Sequence, residues 1–202
     1  MKQISIEEIY FNELNNENDW YDLSKDYKLS EETIEEFVDN VNWDFISRYQ
    51  KLSEEFIVKY EDKVDWNYIS ACQKLSENFM EKFKNKLNFV LISKYQELSE
   101  GFIEKYKDKI DWVYISKYQK LSESFMERNQ DKIDWIRISY AQKLSERFIE
   151  KYQYELNWTI ISKYQKLSES FIKKYKNKVD WYYIMMHQEL SKEFKEKYKG
   201  MV

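Results

Sequence analysis

Proline is absent from this 202-residue chain, glycine occurs twice, at Gly101 and Gly200, and cysteine and histidine occur once each, at Cys72 and His187. With so little proline and glycine, the turns must rest on Asp, Asn, Ser and Lys. One cysteine excludes an intramolecular disulfide and agrees with a reducing compartment. A single His and a single Cys, in repeat units far apart in sequence, supply neither a zinc ligand set nor a Cys-His nucleophile pair. Two glycines cannot build a phosphate-cradling loop. Long apolar runs are missing too, and charged residues make up 35% of the chain, which excludes a membrane span. The first residues lack the basic start and apolar run of a secretory leader, so a cytoplasmic protein is expected.

What the chain has in abundance is aromatic residues, 18% of the total, and they are periodic. Trp20, Trp43, Trp66, Trp112, Trp135, Trp158 and Trp181 are spaced by 23 residues or twice that, and Phe89 fills the vacant rung. Such a period marks a tandem-repeat protein. Three residues after each rung from the second onward stands Ile, from Ile46 to Ile184, usually followed by Ser; seven after it stands Gln, from Gln50 to Gln188. Leu-Ser follows in every unit, with Glu next in all but the last, where Lys192 stands.

This unit resolves into two helices. Asp or Asn just before the aromatic rung is a good N-cap, and the rung, the Ile and the Gln share one face of a short helix A. Two residues after the rung lie Phe45, Tyr68, Leu91, Tyr114, Ile160 and Tyr183, roughly opposite the Trp face, so helix A is expected to be buried on two sides. The Ser of Leu-Ser caps a longer helix B, whose stripe is exemplified by Phe79, Met80, Phe83 and Leu87. Acids in the first turn of helix B and lysines toward its end complement the helix dipole. Apolar residues show no period-two alternation, so no strands are expected.

The expected fold is an all-α solenoid, right-handed or superhelical, of short two-helix repeats. It forms a single domain over residues 1–202: an N-terminal half-repeat cap at 1–19, seven repeats at 20–180 and a capping repeat at 181–202. The half-repeat rests on Ile6, Tyr10, Phe11 and Leu14 in helix B columns, with Ser5 and Glu8 as a capping box. At the other end Lys195 replaces an apolar residue and Gly200 is a candidate C-cap. Eight A helices and nine B helices, at ~8 to 10 Å per layer, predict a rod or superhelix on the order of 70 Å long. The structural core is assigned to the rungs themselves, Trp20, Trp43, Trp66, Phe89, Trp112, Trp135, Trp158 and Trp181.

Chemistry is sparse. Paired acids such as Glu54 and Glu55 sit on amphipathic helices without a histidine beside them, so no catalytic residues, cofactor or metal are expected. The Gln column is expected to fix repeat stacking, because a feature every unit needs is architectural; a groove of stacked amides is the functional alternative. Lys59, Lys82, Lys105, Arg128, Lys151, Lys174 and Lys197 form a ladder that could follow a phosphate backbone, although acids interleave with it. Charge is uneven: residues 1–43 carry −9 and the remainder +5. The candidate partner-binding residues are therefore the acidic Glu31, Glu32, Glu35, Glu36 and Asp39, and an irregular cluster at Arg128, Asn129, Gln130 and Arg137 where the repeat pattern breaks.

The motif running from Leu98 to Ile103 and then from Asp111 to Gln119, Leu-Ser-Glu-x-Phe-Ile followed by Asp-Trp-x-x-Ile-Ser-x-Tyr-Gln, resembles short tandem repeats of proteins from large DNA viruses and bacteriophages. The likeness covers about residues 20–198. It brings no catalytic residues across. What it implies is a non-enzymatic protein-binding module that occludes a host or antiviral-defence complex. A nucleic-acid binder along the lysine ladder and a structural virion component are the alternatives.

Overall fold

The computed structural model describes residues 2–3 and 17–201. Among them are sixteen helices, which between α2 and α15 alternate between six and seven residues: α1 (Glu17–Asp26), α2 (Glu31–Glu36), α3 (Trp43–Tyr49), α4 (Glu54–Lys59), α5 (Trp66–Cys72), α6 (Glu77–Lys82), α7 (Phe89–Tyr95), α8 (Glu100–Lys105), α9 (Trp112–Tyr118), α10 (Glu123–Arg128), α11 (Trp135–Ala141), α12 (Glu146–Lys151), α13 (Trp158–Tyr164), α14 (Glu169–Lys174), α15 (Trp181–His187) and α16 (Lys192–Tyr198). The chain is an all-α solenoid of two-helix repeats. Odd-numbered helices are the A helices and even-numbered ones the B helices. The half-repeat expected around Ser5 to Leu14 lies outside the described residues.

Both helix starts follow from capping chemistry. The Asp65 carboxylate accepts from the backbone N–H groups of Asn67 at 2.8 Å and Tyr68 at 2.9 Å, and Ser53 Oγ accepts from Phe56 N–H at 3.1 Å. Helix B is shorter than the expected stripe. It has six residues in each repeat from α2 to α14, against seven in the A helices after α1. In α6 the helix stops at Lys82, Phe83 is its C-cap at φ −105°, and Leu87 N–H bonds back to the Phe83 carbonyl at 3.1 Å through a turn. The intervening Lys84-Asn85-Lys86 is polar, and Asn is a poor helix former that gives way to a turn. Leu87 still reaches the core, but from the turn.

The chain divides into two compact units, Met1–Ile110 and Asp111–Val202, although the 23-residue phase runs through the division unbroken. In the first unit α1 packs on α3, α3 on α5 and α5 on α7; in the second, α9 packs on α11, α11 on α13 and α13 on α15. A helices thus form a continuous layer within each unit. The most deeply buried side chains are the Ile column of helix A, including Ile46, Ile69, Ile92, Ile138 and Ile161, and the B-helix pairs Phe56-Ile57, Phe102-Ile103 and Phe148-Ile149.

The ends depart from the repeat. Lys2–Gln3 (β1) and Tyr27–Lys28 (β2) form a two-residue parallel pair, with Lys2 opposite Tyr27, against the expectation of no strands. Tyr27 occupies the column where the chain leaves helix A, and that column is extended in later repeats as well, at φ −88° and ψ 153° for Gln50, so the backbone there is already strand-like. Gly200 does not cap α16 in a left-handed conformation: the helix runs on into a 3-10 turn at Lys199–Met201, and no described glycine has positive φ.

Candidate interaction surface

Which residues are available to a partner depends first on which ones are consumed in holding repeats together. The Gln column is consumed within each unit. In the first unit Gln73 Nε2 donates to the carbonyls of Ser47 at 2.9 Å and Gln50 at 2.7 Å, while its Oε1 accepts from Leu52 N–H at 3.0 Å. Gln50 and Gln96 make the same three bonds. In the second unit Gln142, Gln165 and Gln188 do likewise; for Gln142 the partners are Ser116, Gln119 and Leu121. Every amide is buried, and each of these six ties down three main-chain groups at the end of the A helix before it and in the turn that follows.

Two further columns act across the same joint. Ser47 Oγ accepts from Asp65 N–H at 2.9 Å, and Ser162 Oγ from Asp180 N–H at 2.9 Å, so the Ser of one A helix receives the N-cap backbone of the next. The Glu of Leu-Ser-Glu grips the following B-helix cap: Glu54 accepts from Ser76 N–H at 2.5 Å and Ser76 Oγ at 3.1 Å, and Glu123 accepts from Ser145 at 2.6 and 3.1 Å. Dipole complementarity, the role expected from sequence, is only part of its work. In the last repeat Lys192 and Met185 stand in the Glu and Ser columns, and neither offers an acceptor for that joint.

The tryptophan rungs are half-buried, apart from Trp181, which is buried along with Phe89; the column of greatest burial is the isoleucine three residues on. Trp66 stacks on Phe83 of its own B helix at 5.2 Å, and its indole N–H donates to the Glu61 carbonyl at 3.0 Å, in the turn that precedes it. Trp43, Trp135, Trp158 and Trp181 repeat that bond. Phe89 cannot make it. Its ring lies 5.1 Å from Tyr106, close to the 4.9 Å between Trp135 and Tyr152, so it packs as the indole rungs do. Phe89→Trp is therefore expected to add the bond to the Lys84 carbonyl and raise stability by about 1 kcal/mol, seen as a higher urea midpoint at unchanged slope.

The lysine ladder is largely paired. Lys59 meets Glu35 at 2.6 Å, Lys151 meets Glu127 at 2.9 Å, Lys174 meets Glu150 at 2.5 Å, and Lys105 meets Glu81. The lysine hydrogen bonds hold the carboxyls of Glu81 and Glu150 below the usual carboxylate range and raise the lysines in return. Each pair links successive repeats. Being exposed, each is worth little in stability, but together they neutralise four of the seven cations of the stripe.

Among the acidic candidates, Glu31 accepts from Ser53 N–H at 2.5 Å, Glu35 is paired as above, and Asp39 meets Lys63 at 3.3 Å. Glu32 and Glu36 are exposed, and hydrogen bonds from its own backbone N–H and from Ser30 lower the Glu32 carboxyl. The irregular cluster divides. Arg128 and Gln130 line an open groove of about 600 Å³ with Glu127, Lys151 and Tyr152. Asn129 is 4% exposed and its amide donates to the Phe125 carbonyl at 3.2 Å, so this side chain is turned inward. Arg137 sits on α11, half-buried, in an ion pair with Asp134 at 2.9 Å.

The remaining surface is the face of the A helices turned away from the B layer. Positions one, five, two and six after the rung lie at roughly 100°, 140°, 200° and 240° around the helix from it. The first of these columns is exposed in every repeat and the second-residue column is half-buried from Phe45 onward, so the expected burial of helix A on two sides does not hold. Neighbouring A helices cover only its flanks, where Tyr21 meets Phe45 at 4.3 Å and Tyr140 meets Tyr164 at 6.2 Å. Cys72 lies on this face too, and desolvation pushes its thiol above the ordinary value, away from nucleophilic reactivity.

Among the described residues no group of three or more His, Cys, Asp or Glu is placed to hold a metal ion, and no helix is long and apolar enough to cross a membrane. No protein-family model, curated protein or solved structure matches the chain.

Proposed function

We propose that this chain is a non-enzymatic protein-binding module that works by steric occlusion, encoded by a virus or bacteriophage and directed at a host or antiviral-defence complex in the cytoplasm. The observation that carries the reading is the division of labour within the repeat. Recurring polar residues are bonded to the neighbouring repeat, whereas the open face of the A helices presents Ile136 at 52%, Tyr164 at 57% and Tyr182 at 56% exposure. Rigid aromatic side chains with a polar tip are what protein interfaces favour over the rest of a surface. The motif's resemblance to viral and phage repeats supplies the biological setting.

The test is affinity capture of the tagged chain from host lysate treated with nuclease, followed by mass spectrometry. A stoichiometric protein partner that survives nuclease is expected. Recovery of nucleic acid alone, or of virion proteins alone, would overturn the reading.

A further inference from the structure

Charge changes along the A-helix face. In the first unit Asp22, Asp26 and Asp44, with Lys25 and Arg48, lie on α1 and α3, whereas α5 and α7 carry no carboxylate and one cation, Lys94. In the second, α9, α11, α13 and α15 contain no carboxylate at all; their charged residues are Lys117, Arg137 and Lys163, with His187 at the end. Asp111, Asp134 and Asp180 cap the N-terminal ends of α9, α11 and α15, where Asp134 also pairs with the Arg137 guanidinium; Lys117 and Lys163 stand in the last turns, at the opposite ends of α9 and α13.

The cations on this face are held in place by aromatic rings. Lys117 lies 4.8 Å from the Tyr118 ring, and Lys163 lies 5.0 Å from Tyr164 and 5.3 Å from Tyr183, the last on the next repeat. A positioned ammonium over a tyrosine keeps its charge facing solvent and loses little freedom on binding. Aliphatic side chains stand between the tyrosines, Ile136 at 52% and Met186 at 65% exposure.

Resting on the protein-binding reading above, we propose that the A-helix face of residues 111–202 docks an acidic peptide segment bearing aromatic or aliphatic anchors on the partner protein. Lys117 and Lys163 select carboxylates, and Ile136, Tyr164, Tyr182 and Met186 take the apolar side chains between them. Single-stranded nucleic acid is the less favoured occupant. It needs a dense row of cations along its backbone, and this face offers few.

The probe is a fluorescent glutamate-tyrosine copolymer, titrated by anisotropy into the full chain at low and physiological salt. Polyglutamate and oligothymidylate serve as comparisons. The copolymer is expected to bind in a salt-sensitive manner, about tenfold tighter than polyglutamate. Lys117→Glu/Lys163→Glu and, separately, Ile136→Ser/Met186→Ser are each expected to weaken it by about tenfold or more with helicity unchanged, because Lys117, Ile136 and Met186 are exposed and Lys163 is a half-buried surface residue outside the apolar core. Lys84→Glu/Lys176→Glu makes the same change in net charge away from this face and should leave binding within about twofold. Absence of copolymer binding, equal losses in the two lysine doubles, or tighter binding of oligothymidylate would each overturn the proposal. If the copolymer fails while lysate capture still yields a protein partner, this surface assignment falls and the protein-binding function stands.

Discussion

Replacing Gln142 with Ala is expected to destabilise the chain by about 3 to 5 kcal/mol, far beyond the usual effect of truncating one polar side chain. The amide bonds the carbonyls of Ser116 and Gln119 at 3.0 and 2.8 Å and the N–H of Leu121 at 3.1 Å, and the residue is 7% exposed. Its loss leaves one main-chain donor and two acceptors in a buried joint, each costing about 1 to 3 kcal/mol where water cannot replace the partner. Gln142→Glu sharpens the test. It keeps the shape but turns a carboxylate oxygen toward two carbonyl oxygens, so at neutral pH it should be at least as damaging as Ala. Acidification should restore part of the loss, because a protonated carboxyl regains one donor. Urea unfolding of the three proteins at two pH values measures both effects.

The second large effect is expected in the apolar core. Phe148 is 2% exposed and sits between Trp135, at 6.3 Å, and Tyr152, at 4.7 Å. Phe148→Ala removes a ring that adjoining layers cannot easily close over and should cost about 3 to 5 kcal/mol. Trp135→Ala is expected to cost less despite the larger side chain, since that indole is half-buried and part of its area already faces water. Because each repeat leans only on its neighbours, the Phe148 lesion should unfold the flanking repeats first, broadening the denaturation curve or splitting it in two. Equal losses for the two variants would mean that the rungs, and not the layer beneath them, form the core.

That ranking also marks how far the sequence could be read. Period, helix count among the described repeats and both N-caps follow from local chemistry: an Asp two or three residues before the N–H groups it accepts, a Ser three residues before its own. Burial of the tryptophans was harder to judge, because a large aromatic recurring every 23 residues suggests a deep core while a half-buried ring with a bonded indole N–H produces the same recurrence. The end of helix B depended on a short polar spacer competing with an apolar stripe that continues beyond it to Leu87.

Contacts between repeats were the least legible. Glu54 finds Ser76 and Gln73 finds Ser47, partners about one period away in sequence, and nothing local separates a first-turn Glu that serves the dipole from one that grips the next cap. The same reason hides the neighbours of several candidate binding residues. Glu31, Glu35 and Asp39 each meet a group of the adjoining repeat, and Asn129 reads as an irregular surface residue although its side chain is inside. The open face of the A helices left a trace in the sequence, in the absence of carboxylates from the six A helices from α5 onward, but recognising it required knowing which columns the neighbouring helices cover.

The account rests on the glutamine amide as the clamp between repeats, and native-state hydrogen exchange of the leucine N–H groups it holds tests that most directly. Leu52, Leu75, Leu144 and Leu167 lie in connections between helices, where amides ordinarily exchange fast, yet each donates to a buried Gln Oε1 at 3.0 to 3.1 Å. Their protection is expected to match that of helical amides such as Ile138 and Ile161, and Gln165→Ala should abolish it at Leu144 before it affects Leu52. Exchange of these leucines at the rate of an open loop in the native chain would contradict the clamp.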